Sequence, residues 1–97
     1  MVEGILPLFS YSAQVLVDSG ASHSFVSEQF ANVLSQFCES EDFEMEVATP
    51  GGEVLPSTRC FYGVDVVVAG LCLLADLRVL KMMDYDVIFG MDWLRRY

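Results

Sequence analysis

The sequence contains few basic residues and no long apolar run. Five lysines and arginines stand against fourteen aspartates and glutamates, so the formal net charge is −9 at pH 7. Because nucleic-acid-binding domains carry basic patches, this balance argues against nucleic acid as a partner. The longest apolar stretch, residues 64–80, is interrupted by Asp65 and Arg78 and falls short of the roughly 18 to 20 apolar residues that span a bilayer. We therefore predict no membrane-spanning segment and, since no basic segment precedes an apolar one near the N-terminus, no signal peptide.

Cysteine is also sparse, and its spacing does not match the common cysteine-based sites. The sequence has an odd number of cysteines, and no two of them form a Cys-x-x-Cys pair: Cys38, Cys60 and Cys72. We therefore expect free thiols in a reducing, intracellular (cytoplasmic) compartment. A zinc site that used His23 would need ligand spacings that the sequence lacks, so no metal and no cofactor is predicted. A redox or metal-binding module is kept as a third alternative, which metal analysis of the purified protein would test.

Apolar residues are plentiful by contrast. They make up 54% of the 97 residues, which is enough for a packed core. The length indicates one domain over residues 1–97, and a domain this small buries a modest share of its surface on folding. We therefore expect a second copy to cover the surplus apolar surface. Because each copy carries a charge of −9, the two repel each other, and association should strengthen with salt or mild acid.

Short apolar runs bounded by turn residues predict a mostly β fold. The predicted strands cover residues 5–9, 13–17, 44–48, 53–59, 61–68, 71–80 and 85–89. Tyr11 and Ser12 are interpreted as a turn, and residues 38–43 as an acidic connector. The sequence Thr49-Pro50-Gly51-Gly52 is rich in turn-forming residues, so the strands on either side of it are predicted to form a protruding hairpin.

Two helices complete the predicted fold. The internal helix covers residues 27–37, with Ser27 as its expected N-cap and Glu28 at the positive end of its dipole. Its apolar residues recur at helical spacing: Phe30, Val33, Leu34 and Phe37. A second, C-terminal helix is predicted over residues 91–97, after Gly90 breaks the last strand.

One constellation has the residue types needed for catalysis. An apolar strand delivers Asp18 into a turn, where Gly20 permits unusual backbone angles and the close approach of a substrate. Ser19 offers a hydroxyl beside the acid, and Ala21 leaves room. Two carboxylates that share one proton can hydrolyse a peptide, since one takes a proton from water while the other donates one to the carbonyl oxygen. Asp18 thus predicts aspartic protease chemistry.

That chemistry needs two carboxylates, whereas the sequence holds a single Asp-Ser-Gly turn. Ninety-seven residues are too few for two copies of such a lobe. The second carboxylate is therefore expected from a second molecule that is related to the first by a twofold axis. The sequence predicts a homodimer with Asp18 of each protomer at its centre.

Two segments resemble a known family. The segment VLVDSGASHSFVS, residues 15–27, closely resembles the active-site segment of retropepsin-like proteases from gypsy-type LTR retrotransposons, especially those of plants. The segment YDVIFGMDWL, residues 85–94, resembles the second hallmark of that family, an apolar pair followed by glycine and a helix. The spacing of the two segments fits the family, as does ADLRVL at residues 75–80. The resemblance covers nearly the whole chain.

The resemblance implies a fold, an activity and a set of site residues. The fold is a retropepsin-like closed β-barrel with one internal helix and a C-terminal helix, which works as a homodimer. The activity is that of an aspartic endopeptidase that cleaves the polyprotein of its own element. Asp18 is the implied catalytic acid, Ser19 bonds to the partner's matching loop, and Gly90 lets the terminal helix pack behind the catalytic loop. The implied substrate-binding residues are Gly20, Ala21, Ser22, Ile88 and the tip of a flap hairpin, Pro50, Gly51 and Gly52.

The sequence departs from the family in three places. Phe89 stands where the plant elements usually have leucine, which we interpret as a packing change. Ser22 and His23 occupy positions where retroviral relatives carry acids that bind substrate backbone. Those relatives also end in a strand that interleaves at the dimer interface, whereas this sequence ends at Tyr97 within the predicted helix. The dimer is therefore expected to be built differently or to use further residues.

The second candidate function is a retropepsin-fold dimerisation or peptide-binding module that cleaves weakly or not at all. The intact Asp18-Ser19-Gly20 turn argues against it, while the large negative charge, which weakens dimerisation, is compatible with it. A serine nucleophile is not favoured, because no Gly-x-Ser-x-Gly elbow surrounds Ser19 or Ser22. Asp84 and Asp86 are interpreted as turn acids, and Asp92 as an acid that leads a helix.

Overall fold

The described residues form a single seven-stranded sheet with two short helices. The structure is a computed structural model, which describes residues 2–48, 52–82 and 84–97. In chain order the elements are β1 (Val2–Leu8), β2 (Tyr11–Val17), β3 (Ser24–Ser27), α1 (Glu28–Leu34), β4 (Ser40–Ala48), β5 (Val54–Val68), β6 (Leu71–Leu80), β7 (Val87–Phe89) and α2 (Met91–Leu94). The predicted mostly β architecture with two helices is confirmed.

The sheet is open, so the predicted closed barrel is wrong. Its strand order is β1-β2-β7-β3-β6-β5-β4, with β1 and β4 as the two edges among the described residues. A barrel would need the two edge strands to pair with each other. Both edge strands are instead poorly buried: Leu8 is the one fully buried residue of β1, and β4 alternates between half-buried and exposed positions. They extend away from the core as the outer arms of two hairpins.

The short strand β7 occupies the centre of the sheet, between β2 and β3. It runs parallel to β2, with Val15 opposite Val87, and antiparallel to β3, with Val26 opposite Val87. Asp86 fixes the entry to β7, since its Oδ2 accepts from the Gln14 N–H at 2.8 Å and its carbonyl accepts from the Ser27 N–H at 2.9 Å. The connection from β2 to β3, residues 18–23, must therefore cross the end of β7.

The core lies on one face of the sheet, under α1. It includes side chains that are buried almost completely, among them Ala13, Val26, Phe61, Leu77 and Phe89. Helix α1 begins as predicted, because the Ser27 hydroxyl accepts from the Phe30 N–H at 3.0 Å. The helix ends at Leu34, three residues earlier than predicted. Phe37 lies beyond it and stacks on Phe9, with ring centroids 4.9 Å apart.

Several predicted strand bounds change in the structure. Strand β6 covers the predicted residues, but the two predicted strands at 53–59 and 61–68 are one continuous strand, β5. Residues 40–43, predicted as connector, belong to β4. The first hairpin turns at Phe9 and Ser10, whose φ angles are 51° and 70°, and not at Tyr11 and Ser12. Neither helix among the described residues is long and apolar enough to cross a membrane.

Candidate active site

The loop that carries Asp18 begins where β2 ends. The Asp18 N–H donates to the Phe89 carbonyl at 2.9 Å, which ties the start of the loop to the last residue of β7. The Ala21 N–H then donates to the Asp18 carbonyl at 3.2 Å and closes a tight turn. Asp18 is half-buried, while Ser19 and Gly20 are exposed at the tip. The turn therefore presents the aspartate at the edge of the protein, where a second molecule can reach it.

The carboxylate of Asp18 is held within its own turn. Its Oδ1 accepts from the Gly20 N–H at 2.8 Å, and this bond fixes the rotation of the carboxylate. A Cβ atom at Gly20 would lie 3.1 Å from the same Oδ1. Glycine at this position therefore leaves the carboxylate uncrowded as well as supplying the N–H.

Helix α2 supports the second half of the loop from below. The Met91 N–H donates to the Ala21 carbonyl at 2.7 Å, and the Asp92 N–H to the Ser22 carbonyl at 3.2 Å. These N–H groups belong to the first turn of the helix, where they have no partner within the helix. The loop carbonyls thus give partners to N–H groups of the first helical turn, and these bonds hold the loop against the helix.

Gly90 makes this close approach possible. A Cβ atom added at Gly90 would lie 2.3 Å from the His23 carbonyl oxygen and 2.7 Å from the Ala21 carbonyl oxygen. Both contacts are with backbone atoms, which cannot rotate away. The implied role of Gly90, packing of the terminal helix behind the loop, is thereby given a geometric basis.

The side chain of Asp92 ties α2 to the start of β3. Its Oδ1 accepts from the Ser24 hydroxyl at 2.7 Å and its Oδ2 from the Ser24 N–H at 3.3 Å. The Ser24 hydroxyl, which is fully buried, in turn accepts from the Gly90 N–H at 3.0 Å. Asp92 Oδ2 also lies 3.5 Å from a terminal nitrogen of the Arg78 guanidinium. The predicted helix-leading acid is therefore the centre of a network beneath the loop.

A cavity of about 580 Å³ opens beside Asp18. Its walls are mainly apolar, and the β4–β5 hairpin contributes Val47, Ala48 and Leu55 to them. The other walls come from the loop and from residues near β6 and β7, which include Asp84 and Ile88. The cavity is therefore a cleft between the Asp18 loop and the hairpin, with two carboxylates and no basic side chain among its described lining residues.

The structure brings together part of the predicted site. Among the predicted residues, those that line the cleft are Asp18, Gly20, Ala21 and Ile88. Ser19 and Ser22 are exposed in the same loop but are not among the lining residues. Gly52 is exposed in the hairpin connection with a φ of +85°. Pro50 and Gly51, predicted at the hairpin tip, lie outside the described residues.

Several functional positions were not found from the sequence. The cleft walls also include Leu16, Phe25, Leu80, Met82 and Tyr85. Three of them lie in apolar strands, whose pattern does not distinguish a cleft wall from the core, and Met82 and Tyr85 lie in the connection between β6 and β7. The support formed by Ser24, Arg78 and Asp92 was missed as well, although an acid just after Gly90 was a usable signal.

None of the three cysteines is among the described lining residues of the cleft, and each has a raised pKa. Burial raises the pKa of the Cys38 and Cys60 thiols, and the hydrogen bond to Asp65 raises that of Cys72. A raised pKa lowers the fraction of thiolate, which is the reactive and metal-binding form. In the part of the chain that the structure describes, no three His, Cys, Asp or Glu side chains are grouped to hold a metal ion.

Comparison with known proteins links this geometry to one family. The retroviral aspartyl protease family profile matches residues 1–97. No curated protein matches the sequence significantly. Similar solved structures include the retroviral protease-like domain of Ddi1 from Leishmania major, with 21% identity, a TM-score of 0.74 and coverage of 99% of this chain and 76% of that one. The EIAV protease complexed with the inhibitor HBY-793 gives 19% identity, a TM-score of 0.77, and coverage of 98% and 86%. These two likenesses concern the fold.

Proposed function

The chain belongs to the retroviral aspartyl protease family, and we propose that it is one protomer of a homodimeric aspartic endopeptidase with Asp18 as its catalytic residue. The observation that carries the proposal is the setting of Asp18. Its carboxylate is fixed by the Gly20 N–H and lines a mainly apolar cleft that lies against a β hairpin. A carboxylate in such a cleft can act on a bound peptide as acid or base.

A second copy supplies what the single chain lacks. Asp84 also lines the cleft, but it is exposed in the connection before β7 and lies outside the Asp-Ser-Gly turn. Two copies of the exposed turn that meet about a twofold axis would instead bring two equivalent Asp18 carboxylates together. In this dimer Ser19, exposed beside Asp18, bonds to the partner's loop and fixes the distance between the two acids.

Catalysis then proceeds by direct attack of water. One Asp18 is ionised and takes a proton from the water, while the protonated Asp18 of the other protomer donates to the carbonyl oxygen of the scissile bond. The oxygen of the water bonds to the carbonyl carbon. The C–N bond of the resulting intermediate then breaks as the first Asp18 gives the proton it took from water to the leaving amine, and the intermediate returns a proton to the other Asp18. The reaction forms no covalent bond between enzyme and substrate.

The substrate is an extended polypeptide with apolar side chains around the scissile bond. The apolar walls of the cleft, including Ile88, receive these side chains. Gly20, Ala21, Ser22 and the hairpin connection with Pro50, Gly51 and Gly52 hold its backbone, as the resemblance to retrotransposon proteases implies. We propose the polyprotein of a gypsy-type element as the natural substrate, because residues 15–27 and 85–94 resemble that type.

A cleavage assay at several enzyme concentrations tests this proposal. The protein is incubated with a fragment of the polyprotein at about pH 5 in high salt, where the charge repulsion between protomers is screened. Specific activity should rise with enzyme concentration and reach a plateau, because the dimer alone holds two Asp18 residues. Activity per mole of protein that stays constant on dilution to concentrations at which the dimer dissociates would contradict an active site shared by two protomers. A dimer that binds the fragment without cleaving it would indicate a peptide-binding module.

We also predict that salt strengthens the dimer. Each protomer carries a charge of −9, and β4 in the hairpin has exposed acids at Glu41, Glu44 and Glu46. Raising the ionic strength from about 50 mM to about 500 mM shortens the screening length several-fold and should increase the dimer fraction in sedimentation at fixed protein concentration. A variant with these three glutamates changed to glutamine should show a weaker salt dependence. A dimer fraction independent of salt would mean that charge repulsion does not oppose association.

A further inference from the structure

Arg78 lies where three parts of the protein meet. It belongs to β6, it pairs with Asp92 of α2 at 3.5 Å, and its guanidinium lies over the ring of Phe43 in β4, 5.3 Å from the ring centroid. The side chains of Arg78 and Asp92 are 15% and 29% exposed, respectively, so water screens their interaction only partly. The same guanidinium therefore contacts the support of the catalytic loop and one arm of the hairpin.

We infer that Arg78 is a positioning residue for the catalytic loop. Arg78 acts on Asp18 through Asp92, and it also couples the loop to the β4–β5 hairpin. The inference rests on the proposed function, since the loop is taken to carry the catalytic carboxylate. It assigns to Arg78 a role in the geometry of the site, without contact with the substrate or the reacting atoms.

The carboxylate of Asp92 depends on Arg78 for a nearby opposite charge. This carboxylate accepts from the hydroxyl and N–H of Ser24 and from the Trp93 N–H at 2.8 Å. It is partly buried, and a charge in that position is costly without a nearby opposite charge. Arg78 supplies that charge. Without it, Asp92 would tend to turn toward water and release Ser24.

A chain of hydrogen bonds leads from Ser24 to Asp18. The Ser24 hydroxyl accepts from the Gly90 N–H at 3.0 Å, and the next two N–H groups of the chain hold the carbonyls of Ala21 and Ser22. Release of Ser24 would therefore loosen the second half of the loop, whose Ala21 N–H closes the turn at Asp18. A displacement of about 1 Å at a reacting group can lower the rate on the order of a hundredfold.

Phe43 connects Arg78 to the β4–β5 hairpin. The register of β4 against β5 shifts between Asp42 and Met45, and Phe43 lies within this irregularity. A β-bulge re-aims a side chain relative to a regular strand, which accounts for a Phe43 ring that packs against a guanidinium from β6. Val47 and Ala48, further along β4, line the cleft. A movement of the hairpin is thus transmitted to the residue that holds Asp92.

The test compares variants of Arg78 and Asp92 in cleavage and in amide hydrogen exchange. Arg78→Met removes the charge, Arg78→Lys keeps it, and Asp92→Asn removes its partner. Arg59→Met is the matched control, because Arg59 also lies over a phenylalanine ring, that of Phe61 at 6.0 Å, and its loss changes the net charge equally. We expect Arg78→Met to lower kcat about tenfold with KM changed less than about twofold, and Arg78→Lys to regain most of the loss. The double variant Arg78→Met/Asp92→Asn should be no slower than Asp92→Asn alone.

Exchange of the Gly20 and Ala21 amides gives a readout that does not depend on activity. Both N–H groups bond within the turn at Asp18, so a loosened loop should exchange them several-fold faster in Arg78→Met than in Arg59→Met. If the parent protein fails to cleave, the proposed function fails, but this measurement still decides the role of Arg78. Equal exchange in the two variants, unchanged kcat, or additive losses in the double variant would each overturn the inference. If Arg78→Met does not fold, Arg78→Lys and Asp92→Asn carry the same comparison.

Discussion

Replacing Asp18 with asparagine is expected to lower peptide cleavage by at least about a thousandfold, since positioned acid–base groups contribute roughly 10² to 10⁴. The amide cannot take a proton from water, and in the proposed homodimer the change removes both carboxylates of the shared site. Its oxygen can still accept from the Gly20 N–H, as Oδ1 does now at 2.8 Å. The turn should therefore keep its shape, and the loss should reflect chemistry. Initial rates with a polyprotein fragment at about pH 5 measure the effect.

Asp84→Asn is the matched control for this prediction. It removes one carboxylate from the same cleft and changes the net charge equally, but Asp84 lies outside the Asp-Ser-Gly turn. We expect it to alter the rate by less than about tenfold. Comparable activity of Asp18→Asn and the parent, with both shown to be dimeric by sedimentation, would eliminate the protease assignment.

Mixtures of the parent and Asp18→Asn test whether the site is shared. If each active site needs Asp18 from both protomers, activity follows the square of the parent fraction, so an equal mixture at random assortment keeps about a quarter of the activity. If each protomer had its own independent active site, an equal mixture would keep about half of the activity. The subunits must be mixed at low salt, where the dimer is weak, and assayed at high salt.

The second large effect is expected for Gly90→Ala. The added Cβ would lie 2.3 Å from the His23 carbonyl oxygen and 2.7 Å from the Ala21 carbonyl oxygen, so the loop or α2 must move. Over-packing of this kind typically costs 1 to 3 kcal/mol, and rigid backbone on both sides favours about 3 kcal/mol here. Urea unfolding at fixed protein concentration measures the change in the free energy of unfolding. Cleavage should fall as well, because the same shift displaces the loop that carries Asp18.

Gly4→Ala is the control for the glycine substitution itself. A Cβ atom at Gly4 has no neighbour within 4 Å, and Gly4 lies in the edge strand β1. Its unfolding free energy should change by less than about 1 kcal/mol, in the stabilising direction if at all. A Gly90→Ala variant as stable as Gly4→Ala would show that the loop and the helix can separate at little cost.

Much of the fold could be predicted from the sequence, because most strands here are long and bounded by turn residues. Strand β6 was placed from Leu71 to Leu80, and the N-cap Ser27 was identified from its residue type. Strand β3 was missed because Ser24–Ser27 is buried at all four positions and has no alternation to reveal it. The closed barrel that the family resemblance implied was wrong, since closure requires the edge strands β1 and β4 to pair, and the pattern within a strand does not determine that pairing.

The site could be predicted where it is local in sequence. Asp18, Gly20 and Ala21 lie within four residues, and their residue types suffice to indicate a tight acidic turn. The bond between Ser24 and Asp92 joins residues 68 apart, and the pattern around either one does not name the other. Arg78 could not be identified for the same reason, because its proposed role comes from its contacts with Asp92 and Phe43, which lie far from it in sequence.

The central position of β7 also determines when the Asp18 loop gains its supports during synthesis. This strand is made last among the seven but pairs between β2 and β3, with Val87 lying opposite Val15. During synthesis the ribosome must therefore release residues 87–92 before the loop at 18–23 can find its supports. A nascent chain lacks these supports until that point, so hydrolysis of the proposed kind would begin only after residues 87–92 have been translated.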